Sequence, residues 1–219
     1  PHGDQSVYDA YADASDLAIT ISGVAAAPVE GGFTVTTTLT VTENGLPYAG
    51  GTAGFLAFGQ KTFYAVRYDA VNDNFPANKS MPVNSTTLTG GAGGVFTLTT
   101  TGFTYDPTAA ANDGAIFGYI ARDQLEIELP MNAQIKLYDN VASAAWANGL
   151  VDNYESAANV EQCEACHGAP YAKHGYRVAR VDGLTDFVAC KVCHYDTRIG
   201  GHFEWQQMVD DPLAWATNV

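Results

Sequence analysis

Basic residues are scarce in this 219-residue chain: ten lysines and arginines stand against 24 aspartates and glutamates, a formal charge of -14. Nucleic acid and anionic lipid both bind through basic surfaces that release counterions, so neither is an expected partner. Long apolar runs are missing too, and the roughly 20 residues needed to span a bilayer occur nowhere in succession, which predicts no transmembrane segment. The numbering opens at Pro1 without a Met, a basic n-region or an apolar h-region, so an export signal is expected to have been removed or never included. What is present argues against disorder: 47% hydrophobic residues, 22 glycines and 12 tyrosines beside only 16% charged residues describe a chain able to bury a core. The acidic balance serves solubility, or it favours basic partners, metal cations and positively charged mineral surfaces.

The length suits one large domain or two small ones, and two unequal parts are expected, at 1–150 and 151–219. From Leu17 to about Asp139, β-branched and aromatic residues recur between Gly, Asn, Asp and Pro clusters, the pattern of short strands and turns. Strands are predicted at Leu17–Val24, Phe33–Glu43, Gly54–Phe58, Thr62–Asp69, Val95–Thr101, Ala115–Ala121 and Gln134–Asp139. The second is the clearest. Phe33, Val35, Thr37, Leu39 and Val41 share one parity and Thr34, Thr36, Thr38, Thr40 and Thr42 the other, giving an apolar face and a hydroxylated one. The expected fold is mainly β: a Greek-key split barrel or β-sandwich acting as scaffold or docking unit. Asp69, Asp73 and Asn74 offer oxygen ligands of the kind calcium takes, although a solvated loop explains them more simply.

Beyond Asp139 the character changes. Val141–Tyr154 is Ala-rich and reads as helical. The period-2 alternation is lost after it, and a short helix is expected at Phe203–Val209, with Asp211 capping a further turn that opens at Pro212. This small C-terminal module of coil and helix has too few apolar residues for a core of its own. It needs something else to pack against.

All four cysteines fall into two copies of one pattern, Cys163-Glu164-Ala165-Cys166-His167 and Cys190-Lys191-Val192-Cys193-His194. C-x-x-C-H is the haem-attachment pattern: each thiol forms a thioether to one vinyl group, and the next residue's imidazole meets the iron. The cofactors expected are therefore two haem c, attached at Cys163, Cys166, Cys190 and Cys193, with His167 and His194 as proximal iron ligands. Four-thiolate zinc fits the bare cysteine spacing but leaves the His after each pair unexplained. Disulfides and a thioredoxin-like redox pair are further alternatives, the latter without the βαβ setting it needs.

A haem iron bound by one imidazole has a sixth position, and its occupant separates electron transfer from ligand chemistry. Five histidines are present, and two belong to the motifs. His174 and His202 follow the motif histidines at similar offsets and are the expected distal ligands, each to its own haem or to its neighbour's. Met208 is the alternative to His202. His2 is either an uninformative terminal residue or a distal ligand, to a haem of this chain or of a neighbouring subunit. Half of the basic residues, Lys173, Arg177, Arg180, Lys191 and Arg198, lie near the motifs, where haem propionates favour them. Tyr171, Tyr176, Phe187, Tyr195, Phe203 and Trp205 suit packing on porphyrin faces.

The stretch from Cys163 through His174-Gly-Tyr-Arg177 to Cys190-Lys-Val-Cys-His194 resembles the OmcA/MtrC family of surface-exposed outer-membrane multihaem cytochromes. Its likeness is to that family's C-x-x-C-H, H-G-G-x-R, C-x-x-C-H order. Thr40-Val-Thr-Glu-Asn-Gly-Leu-Pro47 is similar to the strand and turn segments that precede the haems there. The resemblance implies a split barrel followed by haems, His174 as distal ligand, and electron passage outside the cell. This chain departs from the pattern in carrying two motifs rather than about ten, no second β domain, and Tyr176 where the family has Gly.

The expected function is extracellular electron transfer by bis-His haems, at the outer cell surface or in the periplasm. Expected partners are other multihaem cytochromes, copies of this chain in an oligomer or filament, and extracellular electron acceptors. Saturated irons point to a carrier more than to an enzyme. The rivals are a terminal reductase of metal or flavin acceptors and a zinc-stabilised structural β protein.

Overall fold

The computed structural model describes residues 17–122, 124–129, 133–138, 140–156, 158–167, 170–173 and 176–191. The front of the chain is built from two antiparallel sheets. One holds β1 (Leu17–Val29), β2 (Gly32–Glu43), β3 (Leu46–Pro47), β6 (Leu88–Gly90) and β7 (Val95–Phe103), in the order β1-β2-β7-β6 with β3 on the end of β2. The other holds β4 (Gln60–Asp69), β5 (Asn74–Met81), β8 (Asp113–Ala121) and β11 (Ala142–Asn148), in the order β11-β8-β4-β5. Because the chain passes between sheets after β3, β5 and β7, strands distant in sequence become neighbours, as in β2 with β7 and β4 with β8. The mainly β expectation holds, in its sandwich form.

The sheets face one another across a core that takes Ile19, Val35, Leu39 and Val41 from the first and Phe63, Ala65, Ile116 and Ile120 from the second. In β2 the parity read from the sequence is the one observed, with Val35, Thr37, Leu39 and Val41 buried and the alternate threonines half-buried. Asn44 and Gly45, both at positive φ, turn the chain from β2 into β3.

Two expectations are corrected. Gly54–Phe58 is not a strand but most of helix α1 (Gly51–Ala57), whose Phe55 is fully buried against Phe58 and Phe96 at centroid distances of 5.4 and 4.8 Å. Val141–Tyr154 is not a helix throughout. It forms β11, registered on β8 from Ala142↔Ile120 to Asn148↔Gly114, and then α2 (Leu150–Asn153). Gly149 makes the change of direction at φ 74°, a backbone conformation that a side chain would strain.

A second core lies on the outer face of the β11-β8-β4-β5 sheet. Val66, Tyr68, Phe75, Ala115, Phe117 and Tyr119 present side chains there, and Leu150, Tyr154, Val181, Val188 and Ala189 close over them. This layer accounts for the lack of alternation in β8, where nearly every residue is buried. An antiparallel strand normally wets one face; one covered on both sides reads as a continuous apolar run. The C-terminal segment thus finds a packing surface in the sheet itself. Beyond these layers run the hairpin β9 (Gln124–Leu129) with β10 (Ala133–Tyr138), helix α3 (Val160–His167), and a small hairpin of β12 (Ala172–Lys173) with β13 (Arg177–Val178). The helix expected at Phe203–Val209 and the turn at Asp211 and Pro212 lie outside the described residues.

Candidate functional site

Helix α3 carries Cys163, Cys166 and His167 together. Their i, i+3, i+4 spacing puts the three positions along one side of a helix. Asn159 caps it: its Oδ1 accepts the Glu161 N–H at 2.8 Å. A second cap arrives from far along the chain, where Asp186 Oδ2 accepts the Val160 N–H at 2.9 Å. Arg180 fixes that carboxylate, donating from Nε to Asp186 Oδ1 at 3.1 Å and lying 3.5 Å from Glu161 on the helix itself. Burial pushes the Asp186 carboxyl up, but the Arg180 bond and the Val160 N–H outweigh it and hold the group below its ordinary range. The segment leading into the second motif therefore grips the helix bearing the first.

Glu164, between the first pair of cysteines, accepts the Tyr171 N–H at 3.0 Å. The hairpin that follows is anchored on the outer face of the sheet. Tyr119 donates its hydroxyl proton to the Val178 carbonyl at 3.2 Å. The Arg177 guanidinium donates to the Tyr64 hydroxyl and lies over the Tyr64 and Tyr176 rings at 4.6 and 5.5 Å. Tyr176 packs edge-on against Tyr119 and Tyr138 at 5.6 and 5.4 Å. Burial raises its phenol, yet hydrogen bonds from Gln60, Arg177 and Thr62 outweigh that, and the net shift is downward. The Tyr at this position, a departure from the resembled pattern, is what seats the hairpin on the sheet.

The second motif is reached through Phe187 at φ 63°, a left-handed conformation rare for a bulky residue. Its N–H is tied to the Ala179 carbonyl at 2.9 Å, and its ring lies 6.2 Å from Tyr171. A single 3-10 turn, Val188–Cys190, then presents Cys190. Cys163 and Cys190 are both half-buried. Lys191 is only 4% exposed, its Nζ 5.6 Å from the centroids of both Phe75 and Tyr154.

Of the residues singled out from the sequence, Cys163, Cys166 and His167 share α3, Cys190 ends the 3-10 turn, and Lys173 pairs with Arg177 across the hairpin. Arg180 bridges α3 and Asp186. His2, His174, Cys193, His194, Arg198, His202 and Met208 lie outside the described residues. Among the described residues no group of three His, Cys, Asp or Glu side chains is placed to hold a metal ion. Asp69 is occupied within its own turn by the Val71 and Asn72 N–H groups and the Asn72 side chain, and Asp73 accepts from Tyr68. Asp69 and Asp73 are thus engaged within the turn, while the buried Asn74 Oδ1 has no hydrogen-bond partner among the described residues.

Sequence reasoning missed Asp186, Tyr64, Tyr119 and the cage around Lys191, none of which has a local signature. Asn159 did have one, an N-cap residue just ahead of an acidic first turn.

The crystal structure of MtrC from Shewanella baltica OS185 aligns with 90% of this chain at a TM-score of 0.45 and 12% identity. The chain spans 36% of the length of that protein. No family model matches the sequence. No curated protein matches it either. No helix of the described residues is long and apolar enough to cross a membrane.

Proposed function

We propose that the chain is an extracellular dihaem c-type cytochrome whose β-sandwich, residues 1–150, is the scaffold for an electron-carrying module at 151–219. The carrying observation is that every cysteine belongs to a C-x-x-C-H motif. The geometry that supports it is the placement of Cys163, Cys166 and His167 on one helix, capped and tied to the approach to the second motif.

The residues present fit the group. Half-buried Cys163 and Cys190 are suited to thioether bonds, and Tyr171, Tyr176 and Phe187 stand between the motifs as aromatic packing partners. Haem bound there supplies one-electron exchange between two iron oxidation states. His167 and His194 are the proximal ligands, and His174 and His202 the distal ones. His2 is a further candidate, from this chain or a neighbouring one. Arg177, Arg180, Lys173 and Arg198 are the proposed propionate partners, Arg180 in exchange for part of its present pairing. Held by two histidines each, such groups would have no site left for a substrate, and the role would be a carrier between other multihaem cytochromes, copies of itself or extracellular acceptors.

The test is made on protein matured in a host that attaches haem. A pyridine haemochrome assay is expected to give two haems per chain, and the reduced protein is expected to keep its spectrum under carbon monoxide. A carbon monoxide-induced Soret shift would show an open iron and overturn the carrier reading.

A further inference from the structure

We infer that the corner of the sandwich between β5 and the end of β7 binds a small carboxylate, held by Arg67 and Tyr105 with Lys79 at the rim. The inference stands apart from the dihaem reading and uses none of its residues.

In β4, Phe63 and Ala65 face the other sheet, and Arg67 continues that parity toward the end of the strand. It stands opposite Ala77 of β5 and Gly114 of β8. The chain that leaves β7 after Phe103 crosses this end, and the Pro107 carbonyl oxygen lies 3.4 Å from where a Gly114 Cβ would stand. Asn148 pins the crossing, donating from Nδ2 to the Pro107 and Ala109 carbonyls at 3.2 and 2.8 Å. Tyr105, on the same crossing, is 8% exposed and packs its ring against Phe103 at 6.0 Å. Burial raises its phenol above the ordinary value, and the Arg67 charge opposes that rise, so the two groups lie within electrostatic reach. On β5, Lys79 stands opposite Ala65, the next inward-facing pair from Arg67. Its Nζ comes within 3.4 Å of the position a Gly102 Cβ would take. The corner is open at its edge, because β6 pairs with β7 only from Phe96 to Leu98.

The donors gathered here lack acceptors. Arg67 Nε and the Tyr105 hydroxyl are both buried without a hydrogen-bond partner, and neither the Arg67 guanidinium nor the Lys79 ammonium has an ion pair among the described residues. Buried polar groups are normally bonded, and this chain has 24 carboxylate side chains from which a partner could be drawn. Those beside the corner are engaged elsewhere. Asp69 accepts from the Val71 and Asn72 N–H groups, Asp106 from the Thr108 N–H at 2.8 Å, and Asp113 from the Asn153 amide at 2.8 Å. Arg67 and Asp69 act on one another only through space. A guanidinium offers a planar fork of N–H groups, and a neutral phenol adds one O–H. Two carboxylate oxygens accept that set without losing lone pairs to water. The ammonium at the rim adds attraction without fixing an orientation. Because the crossing is held by Asn148, the phenol is in place before the ligand arrives.

The test uses the full mature chain, kept reduced, and proton–nitrogen correlation spectra of the arginine Nε–H groups. Sodium acetate is titrated against sodium chloride at equal ionic strength. The Arg67 Nε–H signal is expected to shift saturably with acetate and not with chloride. Its assignment comes from its loss in Arg67→Lys, or from through-bond connection to its own side chain should that variant not fold. Tyr105→Phe keeps the ring and is expected to weaken the acetate Kd on the order of tenfold, the effect of one hydrogen bond to a charged group. Lys79→Gln is expected to weaken it less. If no saturable shift appears, water serves these donors and the inference is overturned. A shift that Tyr105→Phe leaves at full affinity places the ion elsewhere and overturns it equally. Saturation by inorganic phosphate but not by acetate would overturn the carboxylate assignment.

Discussion

Asp186 concentrates much of the site's order in one carboxylate, because it caps α3 from 26 positions beyond Val160 while holding Arg180. Its folded-state pKa is depressed, so its contribution is present above the unfolded value near pH 3.9 and is lost as pH falls through the folded one. Asp186→Asn keeps an oxygen that can cap α3 but loses the charge that Arg180 pairs with, and is expected to lower stability by about 0.5–1 kcal/mol at pH 7, the ordinary value of a partly exposed ion pair. In urea melts the gap from the unaltered protein should close as pH drops below the carboxylate range; a gap that persists there would show that the charge is not what matters. Tyr64 offers a second residue-scale test. Tyr64→Phe keeps the ring under the Arg177 guanidinium but removes the oxygen to which it donates. A loss of about 1.5–3 kcal/mol in the same melts is expected, the usual worth of a hydrogen bond to a charged group.

Among the elements, β8 is the most constrained, since it is buried on both faces and paired on both edges. At Gly118 a Cβ would fall on the Phe63 ring, inside van der Waals contact. Gly118→Ala is expected to cost about 1–3 kcal/mol, as overpacking does, and to lower the thermal midpoint measured by circular dichroism. An unchanged midpoint would mean that Phe63 has room to move. Legibility from sequence also varied by element, for physical reasons. β2 was readable because one of its faces meets the core and the other is only half-buried, so Val and Thr alternate. β11 was misread because Ala142 and Ala144 face one core while Ala145 and Ala147 pack on the other. With small apolar residues on both sides, only the helix propensity of alanine showed, and pairing with β8 overrode it. Edge strand β5 was missed because Pro76, Asn78 and Lys79, which suit an edge, mask the strand pattern. α1 was misread because Phe55-Leu56-Ala57-Phe58 is too short an apolar run to show its period.

At the scale of the whole molecule, the two cores share a single sheet. The sequence reading puts a division near residue 150, and β11, the last strand of the two sheets, ends at Asn148. What it did not disclose is that Leu150, Tyr154, Val181, Val188 and Ala189 close over the outer face, because that contact joins Phe117 and Tyr119 to Val181 and Val188 with no local pattern to announce it. A chain ending at residue 148 is accordingly expected to expose Val66, Tyr68, Phe117 and Tyr119, to bind a hydrophobic dye such as ANS, and to melt well below the full chain. Equal melting of the two would show that the outer layer adds nothing to the sandwich. The candidate site is proposed from its cysteine and histidine motifs, whereas the contacts that Tyr64, Tyr119 and Asp186 make with the segment bearing them have no local pattern in the sequence. The central claim rests on those cysteines being joined to porphyrin, and intact mass spectrometry of the chain matured in a haem-attaching host tests it directly. The account predicts a mass greater than that of the polypeptide by two haems, surviving denaturation; a mass equal to the bare polypeptide would contradict it.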